Sequence, residues 1–400
     1  MYKNILICLD NSDHANAGIG LGVILTKASE KTGTKLTGCH VYAAKLHNER
    51  FMQMESGLPE KYQAEEELKK QRETHDSLIT KGLEIISDSY LAVLHARATE
   101  AGIEPRGVNR EGKNYEEIVK EVEEGGYDLA VLGALGLGKV GTSRVGSVCE
   151  RVVRRVRSDV LVTRDSAPTP GKEKGKILVA IDGSPASFGG LKTALELSKI
   201  FDAEVEAVSA FDPDYHYAAF KSIAGVLSEE AGKIFKFEEQ EKLHDEIIDK
   251  GLAKIYQGHL TTAVRMAKAE GFEIGEKLLS GKPYDKLIGY VKEVKPLMLV
   301  MGRTGVHTAP GLDIGSNTEN CLREVGCHLL ISSREFAPPE TASTDAPPLA
   351  WTDEASAILN KIPSFARGIV RNMVEETARK QGLTEVTDEL MWKVRKDMGQ

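Results

Sequence analysis

The stretch Leu129-Ala130-Val131-Leu132-Gly133-Ala134-Leu135-Gly136, followed after nine residues by Gly146-Ser147, decides the architecture. A short apolar run of strand length ends in glycines, and a helical pattern over Val148–Val156 opens behind the Gly-Ser pair. Glycine lets a backbone turn and come close to a ligand where a Cβ would collide. The first turn of a helix offers free amides and the positive end of its dipole, and the serine hydroxyl adds a donor. Strand, glycine loop and helix start together describe an anion cradle at the carboxyl end of an open α/β sheet. The plainer alternative is that the glycines permit tight strand-to-helix packing, with the serines as N-caps.

The same pattern returns 169 residues later (133 to 302) as Gly302-Arg303-Thr304-Gly305, nine residues, then Gly315-Ser316. Three further matches accompany it. His75-Asp76 through Gly82-Leu83 reappears as His244-Asp245 through Gly251-Leu252, and Gly112-Lys113-Asn114-Tyr115 as Gly281-Lys282-Pro283-Tyr284. The opening runs Ile5–Asp10 and Ile177–Asp182 correspond as well. Four matches in one order mean a duplicated chain.

Each copy alternates strands and helices. The first predicts strands at 4–9, 35–43, 103–109, 128–133 and 159–163, and the second at 176–181, 204–211, 272–279, 297–302 and 327–332. A helical pattern covers about His14–Glu30, and Pro59–Ala101 reads as one or two long helices. Short apolar strands between helices are those of parallel sheets covered on both faces. The fold class is therefore α/β, two tandem doubly wound, Rossmann-like parallel sheets, and it closes with a small all-α module.

Asp10 and Asp182 end the first strand of each copy and border the crevice, where a carboxylate suits a ribose or base, or a Mg2+ ion shared with phosphates. With these residues in place the chain resembles the universal stress proteins of UspA type over about 1–165 and 176–334. The resemblance implies ATP or a related adenine nucleotide as ligand, held by Gly133, Gly136, Gly146 and Ser147 and again by Gly302, Gly305, Gly315 and Ser316. It puts the acidic position on Asp10 and Asp182, and the adenine-side backbone near Val41 and Ala210. It also implies a pseudo-dimer of the halves through their last strands, and a homodimer of the whole chain is compatible with it. The long insert between strands two and three, Asn317 after the serine, and His307 and Pro310 in the second loop depart from the family pattern.

Composition shifts mark linkers at 166–175 and 335–350. Beyond them, 351–400 holds both tryptophans, Trp351 and Trp392, and reads as three helices. Thr352 caps the first, Pro363 breaks it, Gly382 ends the second, and Thr387 starts the third. This tail is similar to a small C-terminal helical domain of light-independent protochlorophyllide reductase, which makes a tetrapyrrole or partner contact conceivable. No cysteine set for an iron–sulphur cluster accompanies it, and the simpler expectation is that Trp351, Phe365 and Trp392 form the core of a helical unit.

Apolar residues at 41% and charged residues at 28% exclude general disorder. A net charge of −8 argues against a nucleic-acid surface, and no apolar run reaches the ~18 residues of a membrane span. The opening strand leaves no room for a signal peptide, so a cytoplasmic protein is expected. Cys8, Cys39, Cys149, Cys321 and Cys327 suggest neither a disulfide framework nor a zinc site. Cys149, near a helix start, is a remote redox candidate. The His75-Asp76 and His244-Asp245 pairs are expected as packing contacts between the halves, and Arg151, Arg154, Arg155 and Arg157 as a solvated helix end. No Ser-His-Asp elbow, Walker lysine or HExxH appears. The reading is a regulatory nucleotide-binding protein with no catalytic residue and an unknown protein partner. A slow Mg-dependent ATPase or nucleotidyl enzyme is the alternative.

Overall fold

The computed structural model describes residues 2–30, 33–167, 175–213, 249–306, 308–309, 311–338, 349–362 and 364–397. The first repeat runs β1 (Asn4–Cys8), α1 (Asp13–Ala28), β2 (Lys35–Tyr42), α2 (Ala44–Met54), α3 (Glu65–Glu100), β3 (Arg106–Glu111), α4 (Asn114–Gly125), β4 (Leu129–Gly133), α5 (Ser147–Arg155) and β5 (Asp159–Thr163). The second repeat contributes β6 (Gly175–Ala180), α6 (Pro185–Phe201), β7 (Ala203–Phe211), α7 (Asp249–Ala269) and β8 (Gly275–Ser280). It continues through α8 (Pro283–Val294), β9 (Met298–Gly302), α9 (Ser316–Glu324) and β10 (His328–Ser332).

The ten strands form one sheet in the order β3-β2-β1-β4-β5-β10-β9-β6-β7-β8. Within each repeat every neighbour is parallel. The halves join where β5 meets β10 antiparallel, Leu161 opposite Leu330, as the resemblance implied. Strand alternation explains the layers. Ile5 and Ile7 point to a face covered by α1, α3, α6 and α7, while Leu6 and Cys8 point to the face covered by α4, α5, α8 and α9. Both apolar layers run through both repeats, so the halves share their core. Each fully buried Ile or Leu in it stabilises the fold by about 1.5–3 kcal/mol.

The third strand of each repeat starts later than the apolar pattern predicts, at Arg106 instead of 103 and at Gly275 instead of 272. Ile103 and Phe272 first close the preceding helices, donating to Ala98 O and Ala267 O, and pack into the helix-covered core. Their apolarity reports burial ahead of the ladder. Helix α2 was not anticipated, because among its residues only Ala44 is buried. Polar contacts hold it on α3: Arg72 bonds Glu55, and Asn48 bonds both Asp76 and His75, whose ring stacks on Phe51 at 4.3 Å. The His75-Asp76 pair thus pins a helical hairpin within one repeat and does not lie between the halves. Its counterpart His244-Asp245, and most of the second insert, lie outside the described residues.

In the tail, α10 (Asp353–Lys361) starts at Thr352, whose hydroxyl accepts from Ala355 N. Helices α11 (Ser364–Lys380) and α12 (Asp388–Asp397) follow, and two short parallel strands, β11 (Ala350–Trp351) and β12 (Glu385–Val386), tie the ends together. The core is aliphatic, built from residues such as Leu359, Val374 and Leu390. Trp351 packs half-buried against this core as expected, whereas Trp392 is 51% exposed, which corrects its expected place in it. The side chain of Phe365 lies outside the described residues. Among the described residues no helix is long and apolar enough to cross a membrane.

Candidate functional site

Strand β1 lies between β2 and β4, and β6 between β7 and β9, so the chain reverses its direction of travel along the sheet at these two points. Such a reversal leaves a crevice outside the carboxyl ends of the strands. Asp10 stands past the end of β1 and Gly133 at the end of β4, with Ile7 paired to Val131 beneath them. Asp182 and Gly302 repeat the arrangement over the Val179–Val300 pair.

The glycines do two different jobs. A Cβ on Gly133 would stand 2.8 Å from Ala15 N, and one on Gly302 2.9 Å from the Ala186 carbonyl carbon. These two serve the packing of α1 and α6 on the strand ends. A Cβ on Gly136 would come within 2.6 Å of Asp10 Oδ2, and one on Gly305 within 2.5 Å of Asp182 Oδ2. Here the missing side chain brings the loop against the carboxylate. Gly146 N donates to Ala134 O at 2.7 Å and Gly315 N to Arg303 O at 2.9 Å, closing each loop onto itself.

Ser147 and Ser316 are the first helical residues of α5 and α9. The N-caps are Gly146 and Gly315, and no side chain caps either helix. The serines are therefore not the N-caps that the packing alternative made them, although its packing role holds for Gly133 and Gly302. Both serines are exposed, next to first-turn amides that have no intrahelical partner.

Each acidic residue is held by a serine two positions on. Ser12 donates its amide and hydroxyl to Asp10 Oδ1 at 3.0 and 2.6 Å, and Ser184 does the same for Asp182. The same serines cap α1 and α6. This Asp-x-Ser signal stands in both copies and was not read from the sequence. Asp182 Oδ2 also accepts from Val306 N at 3.0 Å, which anchors the second loop.

Val41 and Ala210 lie near the ends of β2 and β7, one strand over from the acids, both buried. The walls beside them differ. The first carries His40, bonded to Ser87 Oγ at 2.6 Å, with Tyr90 edge-on at 4.9 Å; burial pushes its imidazole below the ordinary range. The second carries Tyr256 against Phe211, its phenol pushed up by burial and by Asp182. Among the described residues no three His, Cys, Asp or Glu side chains gather as a metal site. His307 and Pro310 lie outside the described residues.

The interface of the halves adjoins both loops and uses residues that sequence reasoning passed over. Arg303 donates to Val153 O and Ser158 O, and Arg164 to Leu322 O, each from one half into the other. Arg154 pairs with Asp313 and Glu319, so that member of the basic run is an interface residue, not a solvated end. Arg151 and Arg155 flank the Tyr115 ring. Cys149 is buried, and desolvation pushes its thiol up to about 12, which removes the redox reading. The other four cysteines are buried too.

The fold and its paired loops define a tandem doubly wound α/β protein whose two crevices share one sheet. The universal stress protein family model matches residues 1–164 and 174–333, and the chain belongs to that family. A universal stress protein of Methanocaldococcus jannaschii is 26% identical over 156 residues, 39% of this chain and 80% of that protein. A solved universal stress protein from Archaeoglobus fulgidus shares the fold at 15% identity and a TM-score of 0.50, covering 82% of this chain and 98% of its own. The family model of the protochlorophyllide reductase 57 kD subunit matches residues 351–395. A light-independent protochlorophyllide reductase polypeptide from a Synechococcus strain is 49% identical over 51 residues, 13% of this chain. The match spans only a tenth of that polypeptide's length.

Proposed function

We propose that the crevices bind ATP or a related adenine nucleotide and that occupancy regulates a protein partner. The observation that carries this reading is the placement of each Gly–two–Gly–nine–Gly–Ser loop against a strand-end aspartate at a reversal point of the sheet. Gly136, Gly146 and Ser147, with Gly305, Gly315 and Ser316, would hold phosphates through backbone amides and the two hydroxyls. Gly133 and Gly302 would act by letting the neighbouring helix seat. Asp10 and Asp182 would receive ribose, and Val41 and Ala210 the base through their backbone. One carboxylate per crevice suits Mg2+ only when phosphates complete its shell, so the ion would travel with the nucleotide.

The test is calorimetry with ADP and ATP on the parent chain and on Gly136→Val and Gly305→Val. A valine side chain would displace Asp10 or Asp182 from its loop, so binding at that crevice should vanish. Flat titrations of the parent at millimolar nucleotide would end the proposal.

A second reading concerns the tail, whose likeness to the reductase domain and exposed Trp392 favour a contact surface for a partner or a tetrapyrrole. Pigment titration of the full chain against Trp392→Ala tests it: equal quenching of both would refute a tetrapyrrole site.

A further inference from the structure

Between the halves, beside the second glycine loop, lies a partly open cavity of about 480 Å3. That volume falls in the range of small-molecule sites. The first half contributes Arg157, and the second Arg303, Thr304, Thr308, Ser333 and Glu335. Ala186, in the first turn of α6, closes one end. None of the residues assigned to the nucleotide crevices lines it.

The two repeats differ at this place. Ser333 is the repeat equivalent of Arg164, 169 residues on. In the first half the Arg164 side chain fills the corresponding corridor, its guanidinium reaching Arg144 O at 3.3 Å and Leu322 O at 2.7 Å. In the second half a serine leaves the corridor open. Arg157 in turn stands where the other half has Gly326, and it projects a charge onto the opened space.

The electrostatics call for an anion. Arg303 is only 7% exposed, and its N–H groups are spent on Val153 O, Ser158 O and Ser333 Oγ, which leaves its charge without a carboxylate in contact. Arg157 adds a second positive charge, and among the described residues it has no ion-pair partner. Burial first, and then Arg157, hold the Arg303 guanidinium below its ordinary value. Of the nearby acids, Asp313 is paired with Arg154, while Asp159, held by the neutral donors Tyr2 and Ser333 N, offsets part of the Arg303 charge from a distance. Exposed Glu335 lines the rim, and Arg157 is left without an ion-pair partner among the described residues. The Thr304 hydroxyl supplies a directional donor of the kind phosphate oxygens take, whereas the Thr308 and Ser333 hydroxyls donate to Gly305 O and Ser158 O.

We propose that this cavity binds a small molecule carrying a phosphate group, with Arg157 as its charge partner and the Thr304 hydroxyl as its donor. The ligand would bridge the two halves, because Arg157 and Thr304 come from different repeats. The site stands independently of the nucleotide reading.

The experiment titrates the full chain with ribose 5-phosphate, with inorganic phosphate as a second probe. Arg157 is exposed and unpaired, so Arg157→Ala should fold normally; it should weaken binding about tenfold, the size of one charge-assisted hydrogen bond. Arg157→Lys should recover part of the loss. A Ser147→Glu/Ser316→Glu variant, which repels anions at both glycine loops, should bind as the parent does. The proposal is overturned if neither probe binds at millimolar concentration, if Arg157→Ala binds like the parent, or if the double glutamate variant alone abolishes binding.

Discussion

Arg303 Nη1 donates to Val153 O at 2.5 Å, so an arginine from the second glycine loop closes the last turn of the first half's helix α5. The repeat equivalent of Val153 is Leu322, whose carbonyl accepts from Arg164 Nη2 at 2.7 Å. The two carbonyls correspond, but the two arginines do not: Arg303 aligns with Ala134, and Arg164 with Ser333. The duplicated halves have kept one polar need at their interface and met it from different positions.

Removing Arg303 should therefore cost more than a surface charge. In Arg303→Met the carbonyls of Val153 and Ser158 lose a donor within a buried interface, at about 2–4 kcal/mol. Urea unfolding should show that loss with Arg303→Met. A shift under about 0.5 kcal/mol would mean that water replaces the guanidinium.

Stability should fall on mild acidification. His328 is buried, and its Nδ1 accepts from Arg164 N at 3.2 Å, so the ring must stay neutral. Burial, then Arg164, push it from 6.5 down to about 4. The folded state binds fewer protons than the unfolded one, so this stabilisation is complete above 6.5 and is lost as pH falls toward 4. At pH 5 the loss is about 2 kcal/mol. His14, lowered by burial, acts in the same direction. Asp159, raised by burial, has the opposite sign, its contribution being full only below 3.8. Denaturant midpoints from pH 7 to 5 should drop in the parent and drop less in His328→Asn, which keeps an acceptor without the titration.

The five thiols should be silent in the native state. All are buried, and burial pushes Cys39, Cys149, Cys321 and Cys327 up to about 12. Ellman's reagent at neutral pH should titrate fewer than one thiol per chain until denaturant is added. Rapid modification of Cys149 would restore the redox reading.

The tail should unfold apart from the sheet when Glu375 is removed. This buried carboxylate accepts from the Trp351 indole at 3.0 Å, from Arg371 at 3.1 Å and from Arg379 at 3.3 Å. Glu375→Ala should cost about 3 kcal/mol, comparable to what so small a core supplies. Both tryptophans lie in the tail, so a red-shifted emission at unchanged sheet content would report its melting. Coincident unfolding of tail and sheet would contradict it.

The strands, the duplication and the glycine loops were legible because they rest on local patterns that occur twice. Apolar runs bounded by glycine report strands, and a fixed 169-residue offset turns weak signals into a duplication. The third strands slipped because Ile103 and Phe272 are apolar for the sake of helix packing, which a period alone does not separate from pairing. Helix α2 was missed because polar bonds, not an apolar stripe, hold it to its neighbour.

By itself the chain of residues determined the doubled α/β framework and the two glycine loops at its strand ends, since both follow from side-chain size and periodicity along the chain. Tertiary structure alone decided that Arg303 and Arg164 become buried struts, that Arg154 crosses to Asp313, that His328 stays neutral, and that a cavity opens beside Ser333. Those outcomes depend on which residues of one half face which of the other across the β5–β10 seam. There the repeats differ by single substitutions, whose meaning appears only once their partners are in contact.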